Sequence, residues 1–135
     1  MSKVKLMPSA ATYPKAVTAN DDAIYLRRRC EQLSGWAFTD FTLAKEVLEE
    51  LAGLVHPQTP FDIRLAYHTN GAFLHNQWHQ YEPALEHARQ AIGILESLAD
   101  APALVEMWAD MAAIHLNRRD WRAAEKSLDR ARRYL

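Results

Sequence analysis

The sequence predicts an all-α protein of three stacked antiparallel helix hairpins, an α-solenoid preceded by a flexible N-terminal arm. Three observations predict it. Apolar residues recur at intervals of three and four through most of the chain, the signature of one buried helix face. Phe41, Tyr81 and Trp121 stand 40 residues apart, each near the start of the second helix of a pair. No run of about four to eight residues alternates with β-branched enrichment, and no Asn-Gly or Asp-Gly turn joins two such runs.

Residues 1–20 hold Pro8, Pro14, Ser and Thr without periodicity and read as the arm; residues 21–135 read as the helical domain, with pairs at about 21–56, 61–99 and 102–135. Asn20, Asp21 and Asp22 are candidate N-caps for a first helix, which buries Leu26, Cys30, Leu33 and Ala37. Asp40 and Thr42 can cap a second, with Ala44, Val47, Leu48, Leu51 and Leu54 or Val55 inward, stopping at His56-Pro57. Pro57 and Pro60 make a rigid connector, because proline cannot continue a helix and restricts the residue before it. A third helix runs from Phe61 to about Asn76 through Ile63, Ala66, Tyr67, Gly71 and Leu74. Gly71 costs it about 1 kcal/mol of propensity against Ala, which a close packing contact would justify.

His75 to Gln80 reads as a turn, and Glu82–Leu98 as a fourth helix with Ala84, Leu85, Ala88, Ala91, Ile92 and Leu95 inward and Pro83 in its first turn. Pro102 opens a fifth, with Leu104, Val105, Trp108, Met111, Ala112 and His115 or Leu116 along one side. Asp120 caps a sixth, Trp121 to Leu135, with Ala124, Leu128, Ala131 and Leu135 inward and Arg122, Lys126, Arg130 and Arg133 outward.

The 40-residue interval holds beyond the aromatics: Ala44, Ala84 and Ala124 keep it, as do Leu48, Ala88 and Leu128, and Leu51, Ala91 and Ala131. The expected logic is packing. An aromatic ring at the turn plugs the space between paired helices, and a small residue three positions on lets them approach closely. Each hairpin leaves an apolar face for the next to cover, giving a right-handed solenoid with a concave inner surface.

This pattern resembles the tetratricopeptide repeat family. The middle pair matches through Tyr67, Gly71, Leu74, Tyr81, Ala84, Ala88 and Ala91, with one extra residue in the turn. The third matches through Trp108, Ala112, Trp121, Ala124, Leu128 and Ala131, with His115 replacing an aromatic. The first matches well only in its second helix, through Phe41, Ala44, Leu48 and Leu51; Arg27 or Arg28 stands where a large aromatic is expected, so it is a degenerate capping repeat or a flanking hairpin of another register. The period is longer than the usual about 34 residues. It is similar to the extended variant found in regulatory portions of bacterial sensor kinases, nucleotide cyclases and transcription regulators.

Composition and motifs constrain function further. With 16 basic and 17 acidic residues the net charge is -1, which gives no expectation of nucleic acid. Charge is uneven: residues 82–110 carry six acids against one Arg, and residues 111–135 carry seven Arg or Lys against three acids. No apolar run approaches the roughly 20 residues a membrane span needs, and the opening residues lack a signal-peptide core, so a cytoplasmic, membrane-free protein is expected. Cys30, the single cysteine, lies on an apolar stripe and reads as a buried thiol and not a nucleophile. His75 and His79 are four apart, with His68, Glu82, Glu86 and His87 nearby, but they straddle the proposed turn and no cysteine joins them. The four glycines are dispersed, so no phosphate loop exists. Trp36 and Trp78, near hairpin turns, read as core plugs or as partner anchors.

No catalytic residue, cofactor or metal is therefore expected, and this segment is read as non-enzymatic. The resemblance implies a protein-interaction scaffold, the N-terminal regulatory module of a larger bacterial signalling protein, with a free-standing adaptor or secretion-type chaperone as the second reading and a metal-dependent protein or enzyme as the third. It also implies that first-helix residues line the groove. Arg29, Gln32, Arg64, Tyr67, His68, Asn70, Phe73, Gln77 and Asp110 are the candidate contacts, a polar set suited to a protein or peptide. No Gly, Pro or polar cap follows the last helix, so the expectation is either a longer parent protein or self-association through that helix.

Overall fold

Six helices account for most of the described residues: α1 (Ala19–Trp36), α2 (Phe41–Ala52), α3 (Phe61–Gln77), α4 (Tyr81–Leu98), α5 (Ala101–Asn117) and α6 (Trp121–Arg132). The computed structural model describes residues 19–135, and among them there is no strand. The predicted arm lies outside the described residues, apart from Ala19 and Asn20, which already belong to α1. Asn20, Asp21 and Asp22 thus fall within the first turn and not ahead of it. No helix of the described residues is long and apolar enough to cross a membrane.

The described residues up to Tyr67 form one compact unit and His68–Leu135 another, the division falling within α3. In the first unit α1 and α2 make a hairpin whose seam is Leu26, Cys30, Leu33 and Ala37 against Ala44, Val47, Leu48 and Leu51, all buried. Full burial of each large aliphatic chain contributes about 1.5–3 kcal/mol. Asp40 caps α2 by accepting from the Leu43 N–H at 3.1 Å. The helix stops at Ala52, earlier than expected, and Leu54 and Val55 continue it only as turn bonds back to Leu51. The connector is fixed from inside: the buried Thr59 hydroxyl accepts from the His56 N–H at 3.0 Å, and its carbonyl accepts from Arg64 Nε at 2.7 Å.

One feature of this unit runs against the sequence reading. Arg29, 4% exposed, lies inside the α1/α2 hairpin and pairs with Glu50, its Nε donating to Glu50 Oε1 at 2.8 Å. The Tyr25 hydroxyl donates to the other Glu50 oxygen, and Arg29 Nη1 donates to Gln32 Oε1 at 2.8 Å. The buried guanidinium is thereby paired through Nε, Nη1 and Nη2, which offsets its desolvation.

In the second unit the buried residues of α4 are Ala84, Leu85, Ala88, Ala91, Ile92, Ile94 and Leu95, as the periodicity predicts with Ile94 added. On α5 they are Leu104, Met107, Met111, Ala112 and Ile114, and on α6 Ala124, Ser127 and Ala131. Val105, Trp108 and His115 are half-buried and Leu116 is exposed, so the α5 seam runs nearer Met107 and Ile114 than expected. Three turns share one geometry. His79, Ala99 and Arg119 take left-handed φ values of 59°, 54° and 63°. The N–H one residue later reaches back five positions, Gln80 to His75 (2.8 Å), Asp100 to Leu95 (3.2 Å) and Asp120 to His115 (2.8 Å), satisfying carbonyls a helix end would leave open. Asp100 and Asp120 then cap α5 and α6.

The aromatic-plug expectation is corrected. Trp121 is 63% and Phe41 46% exposed, and only Tyr81 is half-buried, whereas Ala44, Ala84 and Ala124 are buried as expected. Leu128 (39%) and Leu135 (90%) are exposed too, and α6 ends at Arg132. At about 100° per residue, the α6 seam centres on Ala124, Ser127 and Ala131, which puts Trp121 and Leu128 on its flank. The same rotation carries Phe41 to the flank of α2. Trp36 and Trp78 are half-buried, between the two readings offered for them.

Candidate functional site

Of the nine residues proposed as groove contacts, Arg29, Gln32, Arg64 and Tyr67 belong to the first unit and His68, Asn70, Phe73, Gln77 and Asp110 to the second. In the first unit three are tied up locally. Arg29 and Gln32 are bonded to each other and Arg29 to Glu50, while Arg64 holds the connector carbonyl. Arg29 is corrected from a groove contact to an interior residue, because its guanidinium is buried and paired. Burial pushes the half-exposed Tyr67 phenol above its ordinary pKa.

In the second unit three of the candidates converge. Phe73 and Gln77 from α3 and Asp110 from α5 line one cavity of about 230 Å³, with Ala72, Asn76, Ala113 and Ile114. Its floor is apolar, since Ala72 and Ile114 are buried, and its rim carries two amides and a carboxylate. The Asn117 amide donates to Asn76 Oδ1 at 3.0 Å, tying the ends of α3 and α5 together at this rim. Partial desolvation, with the nearby Glu106 charge, raises the Asp110 carboxyl above the usual carboxylate range. Such a carboxylate gains from a cation or an N–H donor that replaces lost water.

Asn76 and the floor residues were not singled out from sequence. Met107, Met111 and Ile114, spaced four and three, mark the buried side of α5 and so the place of Ile114, but the Trp108–His115 stripe offered a competing register.

His68 and Asn70 are half-buried on α3 and do not line this cavity. His68 Nδ1 instead meets His87 Nδ1 at 2.9 Å, one ring donating and the other accepting, and His75 stacks on His87 with centroids 5.3 Å apart and planes 16° from parallel. Gly71 makes this possible. A Cβ there would stand 2.8 Å from the His87 ring, the close contact that justifies a helical glycine. Burial, then His68 and His75, push the His87 pKa down to about 4. His75 Nδ1 bonds Gln80 Oε1 at 2.7 Å and His79 Nδ1 bonds the Tyr81 hydroxyl at 2.9 Å, so the two histidines flanking the turn face different partners. Among the described residues, no three His, Cys, Asp or Glu side chains are placed to hold a metal ion.

Cys30 is buried, its Sγ 3.8 Å from the Ile63 carbonyl, and burial raises its pKa to about 11, which keeps the thiol protonated.

Compared with models of protein families, with curated proteins and with solved structures, the chain matches none.

Proposed function

We propose that this chain is a protein-interaction module of tetratricopeptide-like type that holds a peptide at the α3/α5 cavity. The observation carrying the proposal is the convergence of Phe73, Gln77 and Asp110, three residues from two helices, on one cavity with an apolar floor. A volume of about 230 Å³ suits one side chain of a partner and not a drug-sized ligand, whose pockets start at about 300 Å³. Phe73 and Ile114 take the apolar stem of that side chain, Asp110 takes a cationic or N–H-bearing head, and Gln77 and Asn76 bond peptide amides and carbonyls. The basic residue of a peptide is the occupant this rim favours. The resemblance in sequence supports a regulatory setting in a bacterial-type signalling protein, with the module supplying recognition and not chemistry.

The test is selection of peptides from a displayed library on the purified chain, followed by fluorescence anisotropy of those retained. Asp110→Asn, with an unchanged melting temperature, and Phe73→Ala, with a modest loss of stability from its half-buried ring, should each weaken binding about tenfold or more, as expected for a charged contact and an aromatic anchor. Selected peptides that lack Lys and Arg, or that bind both variants as tightly as the parent, would remove the proposal.

A further inference from the structure

We propose that the second unit also carries a phosphate monoester site, in a cavity of about 430 Å³ bounded by α4, α5 and α6. It shares no lining residue with the α3/α5 cavity and does not depend on the peptide reading. Two independent observations carry it.

The first is charge. Arg89 comes from α4, Lys126 and Arg130 from one face of α6, and Arg133 from its C-cap, three residues after Arg130. The one acid in the lining, Asp129, is already bonded by Arg132 outside it. Arg89 is shared with Glu86 at 3.3 Å, while Lys126 and Arg133 have no carboxylate partner among the described residues. The sequence shows only a basic last helix; the fold directs three of its cations at one hollow.

The second is a pair of orphaned polar atoms. Among the described residues, the buried side-chain nitrogens without a hydrogen-bond partner are Trp108 Nε1 and His115 Nδ1, and both residues line this cavity. An indole N–H can only donate, so it calls for an acceptor. Burial, then Arg118, holds His115 below the usual imidazole range, and its Nδ1 donates in one neutral tautomer and accepts in the other. Buried donors left unpaired in a folded protein point to a group that completes them. Arg130 is already placed, its guanidinium 5.2 Å from the centre of the Trp108 ring.

Four cations and the Trp108 indole donor ask for several acceptor oxygens and more than one negative charge. A phosphate monoester supplies three terminal oxygens and a charge of about -1.5 to -2 at neutral pH, where one carboxylate leaves most of the cations unanswered. The cavity exceeds a phosphate group alone, leaving room for the organic part of the ester.

The experiment is NMR of the full chain with labelled indole nitrogens, the Trp108 signal being assigned by Trp108→Phe. Inorganic phosphate, a phosphoserine peptide and its unphosphorylated form are titrated at constant ionic strength set with sodium chloride. The Trp108 indole resonance should move saturably with phosphate and phosphopeptide but not with the unphosphorylated peptide. Lys126→Ala with Arg133→Ala, one exposed on α6 and the other exposed at its C-cap, should weaken this at least tenfold without changing the melting temperature. Phosphopeptide binding tenfold tighter than phosphate identifies a protein-borne ester, and equal or weaker binding identifies a free one; both uphold the site. A stationary Trp108 signal, a linear drift reproduced by chloride alone, or tighter binding of a single-stranded oligonucleotide would overturn it.

Discussion

Where α1 faces α2, the first unit fills the space with the Arg29 guanidinium and ties it to Glu50, whose other oxygen accepts from Tyr25. Where α4, α5 and α6 face one another, the second unit uses Ala84, Ala88, Ala91, Ala112, Ala124 and Ala131. Both devices let helices pack, with different consequences. Small side chains permit close approach through van der Waals contact alone and tolerate exchange of similar volumes. A buried ion pair holds one arrangement of partners and penalises loss of either, because the survivor keeps its desolvation cost without its compensation. The repeat is therefore a repeat of geometry, met by different chemistry in its two halves.

The largest test of that contrast is Glu50→Ala, expected to cost about 3–5 kcal/mol by stranding Arg29. Replacing both partners, Arg29→Met with Glu50→Leu, should recover most of it. Chemical denaturation of the single and double variants decides this, and a single variant costing no more than an exposed-site change would show that the pair contributes nothing.

Acid should single out the second unit. The His87 pKa lies at about 4, below the ordinary 6.5, so the folded state resists the proton that the unfolded chain accepts. Its contribution is complete above pH 6.5, falls as pH drops toward 4 and is constant below that, a loss of about 2 kcal/mol. Thermal melts across that range should show it, and His87→Gln should flatten the profile.

Gly71→Ala and Gly93→Ala should have opposite signs. The first drives a methyl into the His87 ring and should cost about 1–2 kcal/mol despite better helix propensity. The second meets nothing within 4 Å and should gain about 0.5–1 kcal/mol. Equal effects in denaturant melts would mean that the His87 contact is not close.

The smallest expected change is at a turn. Ala99→Gly removes the cost of a left-handed alanine but frees the unfolded chain, for a net gain of about 0.5 kcal/mol. Melting of this variant beside the parent measures it.

Helix number, helix type and the buried alanines were legible because they depend on periodicity, which a buried face imposes on sequence. The fates of Arg29 and Trp121 were not. A charged residue carries no local mark of a partner 21 positions away, and an aromatic one residue beyond a cap reads as core until the seam's rotation is known. The α3/α5 cavity was partly legible: Phe73, Gln77 and Asp110 followed from a family-like pattern, whereas Asn76, Ala72 and Ile114 required the register of α3 against α5. The His68–His87 contact was illegible for the same reason, since 19 positions separate its members.

The joints at His79, Ala99 and Arg119 accept an imidazole, a methyl and a guanidinium in one backbone conformation, each locked by a bond that counts back the same number of residues. Such a joint is indifferent to what it carries and strict about length. Lineages of this chain should drift freely in residue identity at these three corners while insertions and deletions gather elsewhere, above all in the eight-residue stretch from Gly53 to Pro60, the longest link between its helices.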